Sequence, residues 1–298
     1  MRRLSWALAP VLVALLLAAG CGSGAPDRDP VDTGAGYATT TKVTKLLVVV
    51  MENHSLSQMR DGMPYTFGLA QRYGYATDYH ALRHPSLPNY IAMTSGSMYG
   101  IHDDGLPARH KIYGRSVFGQ AIRHHESAAT YAESMPGTCA GTFVGRYAAK
   151  HNPWAYFVRE RRACRAHDRG LRAFDTAARE GRLPRVGLLV PNLCHDAHDC
   201  GLATADAWFR AQMRRVFAGP DWRSGHLAVV LTADEDDHNE GNKVLTVVIH
   251  GSQDHHVVGR RLTHYSLTRL YDEVADLPLL RGAAGAPSMA KAFGLPVG

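Results

Sequence analysis

Lys45-Leu46-Leu47-Val48-Val49-Val50-Met51-Glu52-Asn53-His54-Ser55 is the stretch that decides the fold. After Lys45 it is a continuous apolar run rich in branched residues, with no alternation. A strand with one wet face alternates polar and apolar residues, whereas one buried on both faces, as in a parallel sheet, does not. The run stops abruptly in a carboxylate, an amide, an imidazole and a hydroxyl.

The same design recurs downstream. Ala128–Ala132 runs into Glu133, and Val186–Val190 runs into Pro191-Asn192-Leu193-Cys194-His195-Asp196-Ala197-His198-Asp199-Cys200. Residues 226–233 run into Asp234-Glu235-Asp236-Asp237-His238, and 244–249 into His250-Gly251. Helix-like segments at 65–73, 116–125, 171–179, 203–217 and 266–277 separate these runs. Alternating strands and helices predict an α/β fold, three layers (αβα) around a mostly parallel central sheet. Ligands bind such sheets beyond the carboxyl ends of the strands. One polar strand end carries no information, but four point to one shared site.

Arg83-His84-Pro85-Ser86-Leu87-Pro88-Asn89-Tyr90 opens a further helix-compatible run. Pro88 suits a first helical turn, where its missing N–H is not needed. That puts Ser86 at or near the N-cap, facing free backbone N–H groups that favour an anion such as phosphate. Asn89 lies in the same turn and reaches towards that anion. The plainer alternative is a serine that only caps its helix.

The 298 residues, 45% hydrophobic and 20% charged, are enough for one large core. Arg2, Arg3 and the apolar run 4–19 read as an export signal, too short for a confident membrane span. Leu17-Ala18-Ala19-Gly20-Cys21 resembles a bacterial lipobox, so residues 1–20 are expected to be removed and Cys21 lipidated. The alternative is an ordinary secretory signal with Cys21 free. Residues 21–41 read as a flexible tether and 42–298 as one domain. The expected location is therefore outside the cytoplasm, on the outer face of the cytoplasmic membrane as a lipoprotein, or secreted. Losing Arg2 and Arg3 takes the formal charge from +6 to +4. No Lys/Arg run suggests nucleic acid as a partner.

Setting Cys21 aside leaves four cysteines, an even number in an exported chain, which favours two disulfides. Cys194 and Cys200 bracket a short loop and are paired; Cys139 is left with Cys164. A zinc site is the rival reading, but there is no Cys-x-x-Cys pair. Glu52, Asn53, Asp234 and Glu235 are hard oxygen ligands from two strand ends, as a divalent cation prefers. Acidic pairs at strand ends also commonly just face solvent, and Asp236 and Asp237 are read that way.

Five motifs now occur in order: Met51-Glu52-Asn53-His54-Ser55, His84-Pro85-Ser86-Leu87-Pro88-Asn89-Tyr90, Lys150-His151-Asn152-Pro153-Trp154, 191–199 and Thr232-Ala233-Asp234-Glu235. Together they resemble the bacterial phosphoesterase family of acid phosphatases and phosphatidylcholine-hydrolysing phospholipases C, whose fold is related to alkaline phosphatase. The resemblance covers about residues 45–277, and the compact length is more like the phosphatase members. It implies one divalent metal ion held by Glu52, Asn53, Asp234, Glu235 and Ser86. Ser86 matches the family's nucleophile and Asn89 the amide that holds the phosphoryl group. His151 and His198 match the phosphate-contacting and proton-donating histidines. His84, or equally His80, matches the upstream histidine. The ligand set for a second zinc is not clear, with His264 as a possible remnant of it. A sulfatase signature is absent, position 90 being Tyr rather than Arg.

The expected function is thus a lipid-anchored, metal-dependent phosphatase acting on phosphate monoesters through phosphoserine, of the acid phosphatase or phosphoinositide phosphatase type. The partner would be a phosphate ester, including one on a phospholipid head group. A phospholipase C-type diesterase and a phosphate-binding lipoprotein without turnover are the alternatives.

Overall fold

The computed structural model describes Met1 and residues 41–298. The predicted leader beyond Met1, Cys21 and the tether up to residue 40 lie outside the described residues. Ten strands form: β1 Lys45–Met51, β2 Gly74–Ala76, β3 Tyr79–His80, β4 Ala128–Ala132, β5 Asp168–Gly170, β6 Val186–Val190, β7 Leu227–Ala233, β8 Thr246–Ile249, β9 His256–Val258 and β10 Leu262–Thr263. Eight of them make one sheet in the order β5-β4-β6-β1-β7-β8-β2-β9, and β3 pairs with β10 beside it.

β1 lies at the centre, parallel to β6 and β7, with Val48 opposite Leu188 on one side and Val230 on the other. Every residue of β6, β7 and β8 is buried, as is β1 from Leu46 on. That two-sided burial is why these runs do not alternate. The sheet is mostly parallel; β8 departs by running antiparallel to both β7 and β2.

The helices are α1 Leu56–Gly62, α2 Pro64–Arg72, α3 Ser86–Met93, α4 Val117–Arg123, α5 Arg161–His167, α6 Leu171–Arg179, α7 Leu202–Ala218, α8 Pro220–Arg223, α9 His264–Val274 and α10 Met289–Phe293. They fall into two groups, one with α3 and α4 each packed on α9, the other gathered around α7. The core runs from Val43 to Leu295 among the described residues. Among the described residues no helix is long and apolar enough to cross a membrane.

Cys139 is bonded to Cys164 and Cys194 to Cys200, with Cα atoms 5.6 Å and 4.7 Å apart. The pairing is the expected one, and it removes the zinc reading of these cysteines. One local expectation shifts. Pro85 is the cap of α3, so Ser86 is its first helical residue. Its hydroxyl makes no cap bond and is free for other partners.

Candidate active site

The polar ends of β1, β6 and β7 converge as the parallel sheet requires. Glu133, after β4, instead holds His195 (2.8 Å), and His250, after the antiparallel β8, meets Gly225 O (2.9 Å) ahead of β7 at the opposite edge. Glu52 and Asn53 follow β1, Asp196 and His198 follow β6, and Asp234 and Glu235 follow β7. Backbone bonds lock the first residues of these loops together: Glu52 N donates to Asp196 O (2.9 Å) and Asp234 N to Met51 O (3.0 Å). Ser86 joins them from the start of α3, and Lys150 and His151 from the short 3₁₀ turn Ala149–His151.

Ser86 is 1% exposed, and its Oγ donates to Glu52 Oε1 at 2.8 Å. Lys150 Nζ lies 3.0 Å from the same carboxylate oxygen, 3.1 Å from Ser86 Oγ and 3.2 Å from Asp104 Oδ2. An ammonium so placed lowers the cost of a negative oxygen at Ser86. Sequence reading missed both Lys150 and Asp104. Lysine is mostly exposed by default, and nothing local tells that this one turns inward. Leu87 N also donates to Asp104 Oδ1 (2.9 Å), which ties the 97–115 loop to the start of α3.

His151 is enclosed. Its Nε2 contacts Glu52 Oε2, its Nδ1 lies 3.2 Å from Asp196 Oδ2, and Tyr90 stacks on its ring at 4.8 Å. Burial works against the imidazolium, but Glu52 and Asp196 outweigh it and push its pKa up to about 10. With a carboxylate at each nitrogen, it is placed to brace the site rather than to reach solvent. His198 is different: its side chain is 35% exposed, and its Nε2 points towards Glu52 Oε1 at 3.9 Å. Asp199 holds Nδ1 at 2.7 Å, which fixes the ring and leaves Nε2 towards the site.

Asp234 Oδ1 accepts from the backbone N–H of Asn53 (3.3 Å) and Glu235 (2.8 Å). Asn53 contributes that N–H from a left-handed conformation, φ 53°, which asparagine tolerates. Asn89 is fully buried and heavily used. Its amide nitrogen donates to Arg83 O (2.6 Å), Pro85 O (3.3 Å) and Glu235 Oε2 (3.2 Å), and its oxygen accepts from the N–H of Leu82 and Arg83. As placed, it braces the approach to α3 and orients Glu235. His84 lies 3.4 Å from Glu235 Oε2 and 3.0 Å from Asp236 Oδ1, stacked on His238 at 3.8 Å. Burial and His238 hold its pKa below the usual range against the pull of Asp236.

Two expectations are corrected. Asp236 is not a solvated acid; it is 1% exposed, because it accepts from the N–H of His238 (2.9 Å), Glu240 (2.8 Å) and Asn242 (2.9 Å) and so shapes the 236–242 loop. His264 is not a spare metal ligand. Its Nε2 meets Asp234 O at 2.6 Å and its Nδ1 meets Tyr79 Oη at 3.0 Å. Burial lowers its pKa to about 4. His80, the alternative to His84, is held by Asp78 (2.7 Å) and Gly241 O (3.0 Å).

The charges at the centre do not balance. Burial raises the Glu52 carboxyl, but His151 and Lys150 outweigh it and hold it at about 2. Burial, Glu52 and Glu235 push Asp234 well up; burial, Glu52 and Asp104 push Glu235 to about 8; burial, opposed by His151, leaves Asp196 raised. Glu52 Oε2 and Asp196 Oδ2 are buried with only the His151 ring nitrogens facing them, and the buried Asp234 Oδ2 has no hydrogen-bond donor. Buried carboxylate oxygens of this kind are normally paired or bound to a cation. Glu52, His151 and Asp196 bring three ligand atoms within 4.8 Å of one another and could hold a metal ion. That group shares only Glu52 with the expected ligand set.

A sequence model of the Phosphoesterase family matches residues 37–274. The chain belongs to that family. It is 26% identical over 290 residues to the phosphatidylinositol-3-phosphatase of Mycobacterium tuberculosis, covering 95% of this chain and 92% of that protein. It is 25% identical over 222 residues to an acid phosphatase of Aspergillus fumigatus, covering 68% of this chain and 48% of that one. The chain thus spans about half the length of the fungal acid phosphatases it matches. Its fold is similar to that of an alkaline phosphatase superfamily protein from Vibrio parahaemolyticus, with a TM-score of 0.58 at 10% identity, covering 86% and 74% of the two chains. As a member of the phosphoesterase family, this protein is a phosphoric ester hydrolase.

Proposed function

We propose that this phosphoesterase is a metal-dependent phosphatase that hydrolyses phosphate monoesters through a phosphoserine at Ser86. The observation that carries the reading is Ser86 Oγ, buried, donating to Glu52 and 3.1 Å from the Lys150 ammonium. A serine that only capped α3 would bond to its own helix; this one bonds across the site. Glu52 and Asp234, the latter with an unpartnered buried oxygen, would hold the cation together with Glu235, Asn53 and Ser86. When bound, a divalent cation supplies positive charge that favours the serine alkoxide and the phosphoryl oxygens.

The residues of the chain do the rest. Ser86 attacks phosphorus in line, and Lys150 offsets charge on its oxygen. His198, half exposed and fixed by Asp199, donates the proton to the leaving alcohol from Nε2. General acid catalysis of this kind is worth about 10²–10⁴ in rate. Water then attacks the phosphoserine and releases phosphate. Asn89 and Glu235 keep the entrance to α3 in register, and His84 braces Glu235 from outside.

The near full-length match to a phosphatidylinositol phosphatase supports a phosphoinositide-type substrate. The charged start, apolar run and lipobox-like residues 17–21 support export and lipidation at Cys21.

Phosphate release from p-nitrophenyl phosphate and a short-chain phosphoinositide phosphate tests the reading. Turnover abolished by chelator and, by about 10⁶, by Ser86→Ala with an unchanged melting curve is the expected outcome. Normal turnover by Ser86→Ala would falsify the assignment. Activity only on bis-p-nitrophenyl phosphate or phosphatidylcholine would replace it with the phospholipase C reading.

A further inference from the structure

Residues 159–172 hold six arginines and two carboxylates. Both carboxylates turn inward. Glu160, 7% exposed, accepts from Ser116 N (3.0 Å) and Trp154 Nε1 (2.9 Å). Asp168, fully buried, accepts from Thr130 Oγ1 (2.6 Å) and Cys139 N (2.8 Å). With its anions inside, the stretch presents only cations to solvent: Arg159, Arg162, Arg165, Arg169 and Arg172 are all exposed.

A groove of about 550 Å³ runs along this face, with Ile122, Ala163 and Ala166 in its lining and Arg115, Arg123, Arg159 and Arg162 at its rim. Among the described residues none of these four guanidinium groups is in an ion pair. Arg159 lies over the Tyr113 ring at 5.8 Å, and that ring is 61% exposed. A second cleft shares Tyr113 and adds Lys111 and Arg109, the latter paired with Asp103 (3.2 Å). Both belong to the loop whose Asp104 accepts from Lys150, so the cationic face continues towards the site. Phe143 and Val144, each 47% exposed, sit on a hairpin tied to the Asp196 loop through Leu193 N and Arg146 O (3.0 Å).

We propose that this face docks on an anionic phospholipid surface. The charge is complementary, and unpaired arginines beside an exposed aromatic ring are suited to the boundary between headgroups and acyl chains. The apolar groove lining argues against nucleic acid, which would use the cations and leave Ile122, Ala163 and Ala166 without a role. The proposal deepens and rests on the phosphatase reading: a site opening beside a docked face meets phosphate carried on lipid headgroups.

The test is cosedimentation of the chain from Thr41, which contains every core residue among those described, with vesicles of phosphatidylcholine alone or mixed with phosphatidylglycerol. Binding should require the anionic lipid and weaken as salt rises. Each lost cation should lower partitioning about fivefold. Arg115→Ala/Arg159→Ala/Arg162→Ala together should therefore lower it about a hundredfold, with p-nitrophenyl phosphate turnover and the melting curve unchanged. Equal binding to both vesicles, or unaltered binding by the triple variant, overturns the proposal, as does a shift of duplex DNA without vesicle binding. Vesicle binding by a chain that releases no phosphate upholds the surface and sinks the phosphatase reading; phosphate release without vesicle binding does the opposite.

Discussion

Two regions of this protein bury carboxylates, and they treat them differently. On the flank formed by α4, β4, β5 and α9, Glu160, Asp168 and Asp272 have donors at both oxygens. For Asp272 these are Gln120 Nε2 (3.2 Å) and Leu280 N (2.8 Å). The fit is close enough that a Cβ at Gly119 would sit 1.9 Å from the Glu160 carboxyl carbon. At the site, Glu52 and Asp196 share one imidazole, which faces Glu52 Oε2 and Asp196 Oδ2, and Asp234 has one oxygen bonded and one without a donor. A folded chain that satisfies three buried acids completely can satisfy six. Crowding two acids onto one imidazole and leaving an oxygen of the third open, all around a buried serine, marks the place where stability is given up for binding.

The contrast is broken most severely by the same change made in both regions. Asp234→Asn keeps an acceptor for Asn53 N and Glu235 N but removes a charge from the open side. Turnover should fall by about 10³ or more, the scale of lost metal-ion charge stabilisation. In chelator the variant should melt higher than wild type, since burial, Glu52 and Glu235 make the wild-type carboxyl take up a proton on folding and the amide needs none. Asp168→Asn should leave turnover unchanged. Equal losses in the two variants, measured as kcat on p-nitrophenyl phosphate, would erase the distinction. Lys150→Ala sharpens it: the one cation shared by Ser86 and Glu52 is removed, and kcat should drop by about 10²–10³ with a smaller effect on KM. Lys150→Arg should recover part of the loss. A loss confined to KM would make Lys150 a substrate-binding group instead.

Much of this contrast was legible before the fold was known. β1, β4, β6 and β7 are apolar runs whose lack of alternation states their two-sided burial, and the residues that end β1, β6 and β7 are the residues that meet; Glu133 after β4 stops at His195. What was not legible has a common cause. β2, β5 and β9 are three-residue strands with no period to read. The antiparallel direction of β8 is set by the chain's path rather than by its composition. In 191–199, Asp196 and Asp199 look alike, yet only Asp196 turns beneath His151, because its backbone carbonyl is bonded to Glu52 N. Lys150 and Asp236 carry charges whose default is solvent, and only partners distant in sequence reverse it.

The smallest expected effect concerns pH and the satisfied acids alone. Burial outweighs the hydrogen bonds that Thr130, Asn152 and Cys139 donate and raises the Asp168 carboxyl to about 6 in the folded chain. Its unfolded value is about 4. Between these two values the folded state binds the extra proton, so this group's contribution to stability is fully present below about pH 4 and is lost as pH rises towards 6. The total is at most about 3 kcal/mol at 1.36 kcal/mol for each unit. Asp168→Asn can turn its oxygen to Cys139 N and Asn152 Nδ2 and its NH₂ to the Thr130 hydroxyl, which also accepts. Urea midpoints of wild type and variant, measured from pH 4 to 8, should diverge across pH 4–6 in favour of the variant and run parallel above it. Parallel curves throughout would mean that Asp168 stays ionised in the fold, and that three neutral donors hold a buried charge as well as the site's cations do.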